Sequence, residues 1–158
     1  MDPLWHELTN GFPDRHRLVI VLVRVFAAVL LGAIVGIERE RARKPAGLRT
    51  HMLVSLGTCV VVLSCSGTGM SLDGLSRVIQ GILTGIGFVG AGTILKLNEK
   101  QEIHGLTTAA SLWIAAAIGV AAGLGILGLA VIGTVVTLLI LILEHVIDTR
   151  IRNTQNKN

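Results

Sequence analysis

The sequence predicts an all-α membrane protein, a bundle of five transmembrane helices. Of its 158 residues, 51% are apolar and only 15% are charged, and the mean hydropathy is +0.71. The charged residues fall into clusters, and the stretches between them are long enough to cross a hydrocarbon core of about 30 Å. This balance excludes soluble globular, disordered, collagen-like and disulfide-rich classes of protein.

The apolar stretches, which carry few charges, define the spans in chain order. We predict the first at 18–37, which contains a single charge, Arg24, the second at 51–70 and the third at 78–97. From Ile103 to Leu143 there is no charged side chain. One helix of that length would be roughly 60 Å long, about twice the hydrocarbon core. It therefore divides at the glycine cluster of residues 123–128 into spans at 105–123 and 126–143.

The distribution of lysine and arginine predicts the orientation. One side holds ten of them, namely Arg39, Arg41, Arg43, Lys44, Arg49, Lys96, Lys100, Arg150, Arg152 and Lys157, whereas the other side holds Arg15, Arg17 and Arg77. Because cytoplasmic loops carry the excess of basic residues, the N-terminus should lie outside and the C-terminus in the cytoplasm. Residues 1–17 are then an extracytoplasmic interfacial segment, 18–143 the transmembrane domain and 144–158 a short cytoplasmic tail. The net charge of +4 indicates orientation and not nucleic-acid binding.

Glycine spacing predicts where helices pack closely. The pairs Gly32/Gly36, Gly81/Gly85 and Gly119/Gly123 are small-xxx-small motifs, which let helix backbones approach. The third span also contains Gly87, Gly90 and Gly92, so we expect it to be central. Packing within the monomer or in a homodimer explains these glycines. The alternative is that they line a path or form a hinge.

Polar residues inside the spans are candidates for function. Arg24 lies near the predicted outer end of the first span, where a charge marks either a functional site, a structural ion pair or a side chain that snorkels to the headgroups. Gln80 and Thr84 share one face of the third span and should form hydrogen bonds with a neighbouring helix. Cys59 and Cys65 are six positions apart on one helix and match no metal or redox motif.

Most of the polar chemistry is predicted at the cytoplasmic boundary. We name as the inner-face cluster Glu38, Arg39, Glu40, Arg49, Thr50, His51, His104, Thr107 and Thr108. We expect Thr107 or Thr108 to cap the fourth helix and Arg49 to pair with Glu38 or Glu40. Three interpretations remain open for this cluster: an ion-pair lock between helix ends, a partner or ligand surface, or a Mg²⁺ site formed by oxygen ligands. Neighbouring Arg39 and Arg41 disfavour a bound cation.

Sequence signatures of enzymes are not found. There is no HExxH, GxSxG or P-loop motif, and no GxGxxG follows a strand. We therefore expect a protein without catalytic residues and without a required cofactor, in which Mg²⁺ binding is the one cofactor hypothesis.

Three long blocks carry a family resemblance. GAIVGIERERARKPAGLRTHMLVSLG (32–57), RVIQGILTGIGFVGAGTIL (77–95) and HGLTTAASLWIAAAIGVAAGLG (104–125) resemble the signature blocks of the MgtC/SapB family of bacterial inner-membrane proteins. The resemblance implies a five-helix protein linked to growth at low Mg²⁺ and, in pathogens, to intracellular survival and virulence. It also implies action through other membrane proteins, such as a P-type Mg²⁺ ATPase or the ATP synthase. Well-known members carry a soluble domain after the fifth helix, so we expect this chain to be a short form.

The leading functional hypothesis is a non-enzymatic inner-membrane regulator that works through helix contacts and the basic rim. The alternative is a transporter or channel for Mg²⁺ or another ion, which would use Arg24, Gln80, Thr84 and the Glu38/Glu40 pair. A third hypothesis is a ligand sensor at the inner face.

Overall fold

Five long helices and one short β-hairpin make up the part of the chain that the structure describes. It is a computed structural model, which describes residues 15–97 and 102–155, with side chains over 15–94 and 104–144. The elements in order are α1 (Arg15–Arg41), α2 (Leu48–Gly67), α3 (Leu72–Gly92), β1 (Leu95–Leu97), β2 (Glu102–His104), α4 (Leu106–Leu124) and α5 (Leu127–Gln155). Within the described ranges, five helices are long and apolar enough to cross a membrane. The predicted fold class is confirmed.

The ends of two helices follow from local chemistry. Gly125 has φ +83°, a left-handed conformation that favours glycine, and it ends α4 inside the predicted glycine cluster. Ser71 starts α3, because its Oγ accepts a hydrogen bond from the Gly74 amide at 3.2 Å. This cap places α3 at Leu72–Gly92, about six residues before the span that we predict at 78–97.

The hairpin is the element that the sequence analysis missed. β1 and β2 pair antiparallel, with Leu95 opposite His104 and Leu97 opposite Glu102. Residues 95–97, which we place in the third span, are therefore extended. Leu95 and Leu97 are apolar, so hydropathy alone extended the span across them although residue 96 is a lysine.

The fourth helix, and not the third, is at the centre of the bundle. In α4, 61% of the most apolar stretch is buried, against 11% in α3 and 22% in each of the other three. α4 contacts all four other helices, whereas α3 contacts mainly α4 and touches α2 only lightly. The expectation that the glycine-rich third helix is central was wrong. The physical reason is that alanines on all sides of α4 let several helices approach it.

Two of the three glycine motifs are packed against a neighbouring helix. A Cβ at Gly32 would lie 2.8 Å from the His51 carbonyl oxygen, and a Cβ at Gly36 would lie 2.7 Å from the Leu48 Cα. Gly123 packs in the same way against α2, where a Cβ would lie 2.8 Å from the Val62 Cβ, and Gly119 packs against Ser55. These two motifs hold α1 and α4 against α2.

The remaining motif has no partner within the described chain. A Cβ added at Gly81, Gly85, Gly87 or Gly92 would meet no described atom within 4 Å. Of the α3 glycines in our prediction, Gly90 alone packs, with its Cβ position 3.4 Å from the Ala109 Cβ. An apolar groove of about 250 Å³ separates α2 from α3 beside Gly85. The predicted packing role of these four glycines is therefore not fulfilled inside the described monomer.

Candidate functional site

The turn between α1 and α2 is closed by Glu40. Its Oε2 accepts a hydrogen bond from the Leu48 amide at 2.8 Å, so a carboxylate of α1 satisfies the first free amide of α2. A Cβ at Gly47 would overlap this carboxylate, which explains the glycine at the N-cap position. Glu40 therefore caps a helix and does not pair with Arg49 as expected.

Arg39 is a buried charge at the same end of the bundle. Its side chain is 1% exposed, and its Nε donates to Glu38 Oε2 at 2.6 Å. Its Nη2 lies 3.7 Å from Oε2 of Glu144, a residue of α5. Lys44 Nζ lies 3.5 Å from the other Glu144 oxygen, Oε1, which also accepts a hydrogen bond from the Thr107 hydroxyl at 3.3 Å. Side chains of α1, the α1–α2 turn, α4 and α5 thus meet at Glu144.

His51 connects α2 to α4 in the buried interior. Its ring is fully buried, and Nδ1 lies 2.9 Å from the Gly47 carbonyl oxygen. Because a carbonyl oxygen can only accept, Nδ1 carries a hydrogen. Nε2 lies 3.1 Å from the Ser111 Oγ, and that hydroxyl is also 2.8 Å from the Thr108 carbonyl oxygen. This chain of polar groups joins α2 to α4 in a region where His51, Thr108 and Ser111 are all buried.

The other members of the inner-face cluster are distributed over the surrounding surface. Arg49 and His104 are exposed, and Thr50 is half-buried. Thr108 is buried, yet the position before α4 is occupied by Gly105 with φ +95°, and no side chain caps that helix. The expected cap from Thr107 or Thr108 was therefore wrong. The Thr107 hydroxyl instead donates a hydrogen bond to Glu144, and Gly105, in its left-handed conformation, turns the chain into α4.

The geometry of the cluster is that of an electrostatic lock. Arg39 lies between the carboxylates of Glu38 and Glu144, where a divalent cation bound by those two groups would have to displace it. Among the residues that the structure describes, no three His, Cys, Asp or Glu side chains gather into a metal-binding group. One guanidinium nitrogen of Arg39, Nη1, and Glu144 Oε2 are buried without a hydrogen-bond partner there.

Arg24 connects two helices at the opposite end of the bundle. Its Nη1 donates to the Gly123 carbonyl oxygen at 2.9 Å, at the C-terminus of α4. A cation there complements both an unsatisfied carbonyl and the negative end of the helix dipole. A Cβ at Gly125 would overlap the guanidinium, so the turn after α4 also needs glycine for this contact. Arg24 thus forms no ion pair with a described residue, and its guanidinium is directed toward the end of α4.

Gln80 and Thr84 lie on the outward face of α3. Both side chains are exposed, and Thr84 donates to the Gln80 carbonyl oxygen of its own helix at 2.9 Å. No hydrogen bond from the Gln80 amide is formed among the described residues. The expected interhelical hydrogen bonds are not formed within the described chain, because α3 turns this face away from the bundle.

Two residues of the site were missed by the sequence analysis. Glu144 follows the fifth apolar span directly, and we counted it in the tail. Ser111 is one small hydroxyl in an alanine-rich helix. The signal for Glu144 is a carboxylate at the last turn of a span on the side that carries the basic excess. The signal for Ser111 is its register, since it lies three and four positions after Thr108 and Thr107.

The chain is similar to known proteins of one family. The profile of the MgtC family matches residues 25–150. SrpB of Synechococcus elongatus is 40% identical over 129 residues, which cover 75% of this chain and 71% of SrpB. YhiD of Escherichia coli K12, provisionally named a magnesium transporter, is 45% identical over 82% of this chain and 62% of YhiD. MgtC of Salmonella typhimurium is 43% identical over 79% of this chain and 52% of that protein.

The shared region therefore spans about half to three quarters of these relatives' lengths. No solved structure matches the chain.

Proposed function

The chain belongs to the MgtC family, and we propose that it is a non-enzymatic regulator in the bacterial inner membrane, linked to magnesium homeostasis through contact with another membrane protein. Five helices of membrane-spanning length together with this family make it a multi-pass membrane protein. The name of YhiD supports the link to magnesium. Candidate partners, from the resemblance, are a P-type Mg²⁺ ATPase and the ATP synthase, with intracellular survival as a downstream role.

The uncovered glycine face of α3 is the observation on which this proposal depends. Gly81 and Gly85 form a small-xxx-small motif at which an added Cβ would meet no atom of the described residues within 4 Å, whereas equivalent motifs in α1 and α4 are packed. Gln80 and Thr84 lie beside these glycines and are exposed. The face therefore combines close backbone access with polar groups, the two features that drive helix association in lipid.

Energetics in the bilayer favour a helix partner over lipid on this face. Acyl chains cannot accept or donate a hydrogen bond, so an amide that faces them stays unsatisfied. A hydrogen bond between membrane helices contributes about 0.6 to 2 kcal/mol, and close packing at glycine adds to it. A transmembrane helix of another protein would supply both contributions at Gln80 and Gly85.

A basic rim lies at the cytoplasmic end that we predict. Arg41, Arg43 and Arg49 are exposed, and none forms an ion pair among the residues described. The carboxylates nearby are already engaged, with Glu38 on Arg39 and Glu40 on the α2 amide. These arginines are thus available to an acidic partner surface or to anionic headgroups.

A capture experiment tests the proposal. The full chain, carrying a photo-crosslinking amino acid at position 84, is expressed in native membranes at low Mg²⁺ and compared with Gly85→Leu. We expect one specific membrane partner, lost in Gly85→Leu, together with loss of growth at low Mg²⁺. Gly128→Leu is the matched control, because Gly128 is also exposed with nothing within 4 Å but lies on α5.

Two results would overturn the proposal. One is recovery of this chain alone at every Mg²⁺ concentration, which would indicate a homodimer instead. The other is a Gly85→Leu variant that captures the partner and grows like the wild type. Thermal unfolding of each purified variant ensures that loss of capture is not loss of fold.

Ion transport is the second candidate, favoured by the name of YhiD. The polar residues it would use lie apart in the structure, with Arg24 on Gly123, Gln80 on the outward face of α3 and Glu38 on Arg39. Purified chain in liposomes that contain a Mg²⁺-sensitive dye decides the matter. If the wild-type chain carries Mg²⁺ across the membrane and Glu38→Gln does not, the protein is a transporter and the regulatory proposal is wrong.

A further inference from the structure

A cavity of about 610 Å³ opens between α1 and α2 at the end of the bundle away from the inner-face cluster. Arg24 is one of its lining residues, and its hydrogen bond to Gly123 places this part of the cavity beside the turn after α4. One part of the wall is apolar over more than one turn of each helix and is formed by Ile20, Val21, Val25, Val60 and Leu63. The other part is polar: Arg17, Ser64, Ser66 and Thr68 lie toward the ends of the two helices, and Arg24 lies at the depth of the apolar residues.

The polar part of the cavity is positively charged. Arg17 and Arg24 line it from one face of α1, two turns and about 10 Å apart along the axis, and among the described residues no Asp or Glu lines it. Arg17 is exposed and has no ion pair among the described residues. The N-terminus of α1 and the C-terminus of α2 both lie at this end, so their dipoles oppose each other. The two guanidinium groups therefore decide the sign, and an anion is the complementary ligand.

The hydroxyl groups of the cavity indicate which functional groups that anion carries. Ser64, Ser66 and Thr68 also line it, and each hydroxyl donates its hydrogen to a carbonyl oxygen of α2, at 2.8 Å, 3.0 Å and 2.8 Å. Their oxygens can consequently only accept from a ligand. A ligand that suits the cavity carries a phosphate for the arginines, hydrogen-bond donors for the hydroxyls and hydrocarbon for the apolar wall.

We propose that this cavity binds one anionic glycerophospholipid whose headgroup carries free hydroxyl groups, with the phosphate on Arg17 and Arg24 and an acyl chain along Val21 and Val25. Phosphatidylglycerol has this chemistry. Phosphatidylethanolamine also offers hydrogen-bond donors, but its ammonium group would lie beside two arginines, and phosphatidylcholine offers no donor and carries a cationic group as well. The site is independent of the magnesium-linked role and of the α3 face.

Native mass spectrometry of the full chain tests the site. The delipidated protein is titrated with phosphatidylglycerol or with phosphatidylcholine of the same acyl chains. We expect one phosphatidylglycerol to bind in preference, and Arg17→Gln to weaken it about tenfold, the loss of one charge-assisted hydrogen bond. Arg77→Gln is the matched control, since Arg77 is an exposed arginine near the start of α3 and does not line the cavity.

A second variant separates the cavity from its charge. Val21→Trp fills the apolar part and keeps both arginines, so it should also lose the bound lipid. Arg24 is unsuitable for substitution, because its loss would also leave the Gly123 carbonyl oxygen without its donor. Wild-type binding in Arg17→Gln or Val21→Trp, or an equal loss in Arg77→Gln, would overturn the proposal. So would inorganic phosphate that raises the Tm as much as the lipid does, which would indicate a site for a soluble anion.

Discussion

Gly36→Ala is the substitution that most directly measures how closely α1 and α2 approach. The new Cβ would lie 2.7 Å from the Leu48 Cα, 3.0 Å from the Leu48 carbonyl oxygen and 3.1 Å from the His51 Cβ. Ordinary contact begins near 3.4 Å, so α1 and α2 must separate locally by at least about 0.7 Å. The two nearest atoms belong to the backbone and cannot rotate away.

The magnitude follows from a comparison with Gly85→Ala on α3. Both substitutions gain the helix propensity of alanine over glycine, up to about 1 kcal/mol. Only Gly36→Ala adds the overpacking term of about 1–3 kcal/mol, and here we expect its upper half because backbone must move. The free energy of unfolding should therefore be about 2–3 kcal/mol lower in Gly36→Ala than in Gly85→Ala.

Reversible unfolding of each purified variant in mixed micelles of mild detergent and dodecyl sulfate is the assay. Gly85→Ala should be as stable as the wild type or slightly more stable. Equal stability of the two variants would refute the reasoning, because it would mean that the glycines of α1 are not where this bundle is tight. If Gly85→Ala were less stable than Gly36→Ala, the tight helix contact would lie on α3.

Three further predictions test the site by the same assay. Gly47→Ala and Glu40→Ala should each lower the free energy of unfolding by about 0.5–2 kcal/mol through loss of the α2 cap, and the double variant should lose no more than the worse single one. Glu144→Gln should cost about 1–3 kcal/mol, because a buried guanidinium loses its second carboxylate; a variant as stable as the wild type would mean that the contact at 3.7 Å is unimportant. Ser111→Ala should cost about 1 kcal/mol, whereas exposed Ser64→Ala should change stability by less than about 0.5 kcal/mol.

The number of helices followed from the sequence because hydropathy and span length are both local. The break at Gly125 was predictable for the same reason, since a left-handed turn after an apolar helix favours glycine. The boundaries of the third helix were not, because Ser71 is a cap that precedes the apolar stretch. The strand at residues 95–97 depends on pairing with β2, which is not a local property.

The partners of individual side chains were the least predictable part of the site. Gly32/Gly36 and Gly81/Gly85 have the same spacing, and only the surface opposite each helix decides which pair is packed. Arg24 was interpreted from its depth in the first span, but its partner is a carbonyl group of α4. Such pairings depend on the three-dimensional arrangement of helices that a single sequence leaves open.

The bond between Arg24 and Gly123 also has a consequence for biosynthesis. The acceptor lies 99 positions after the donor in the chain. At typical rates of translation of about 5–20 residues per second, α1 spends roughly 5–20 s in the membrane before its acceptor has been made. During that interval the guanidinium depends on headgroups and water at the bilayer surface. A chain arrested before α4 therefore leaves an uncompensated cation near the membrane, a chemical difference by which unfinished molecules can be told from finished ones.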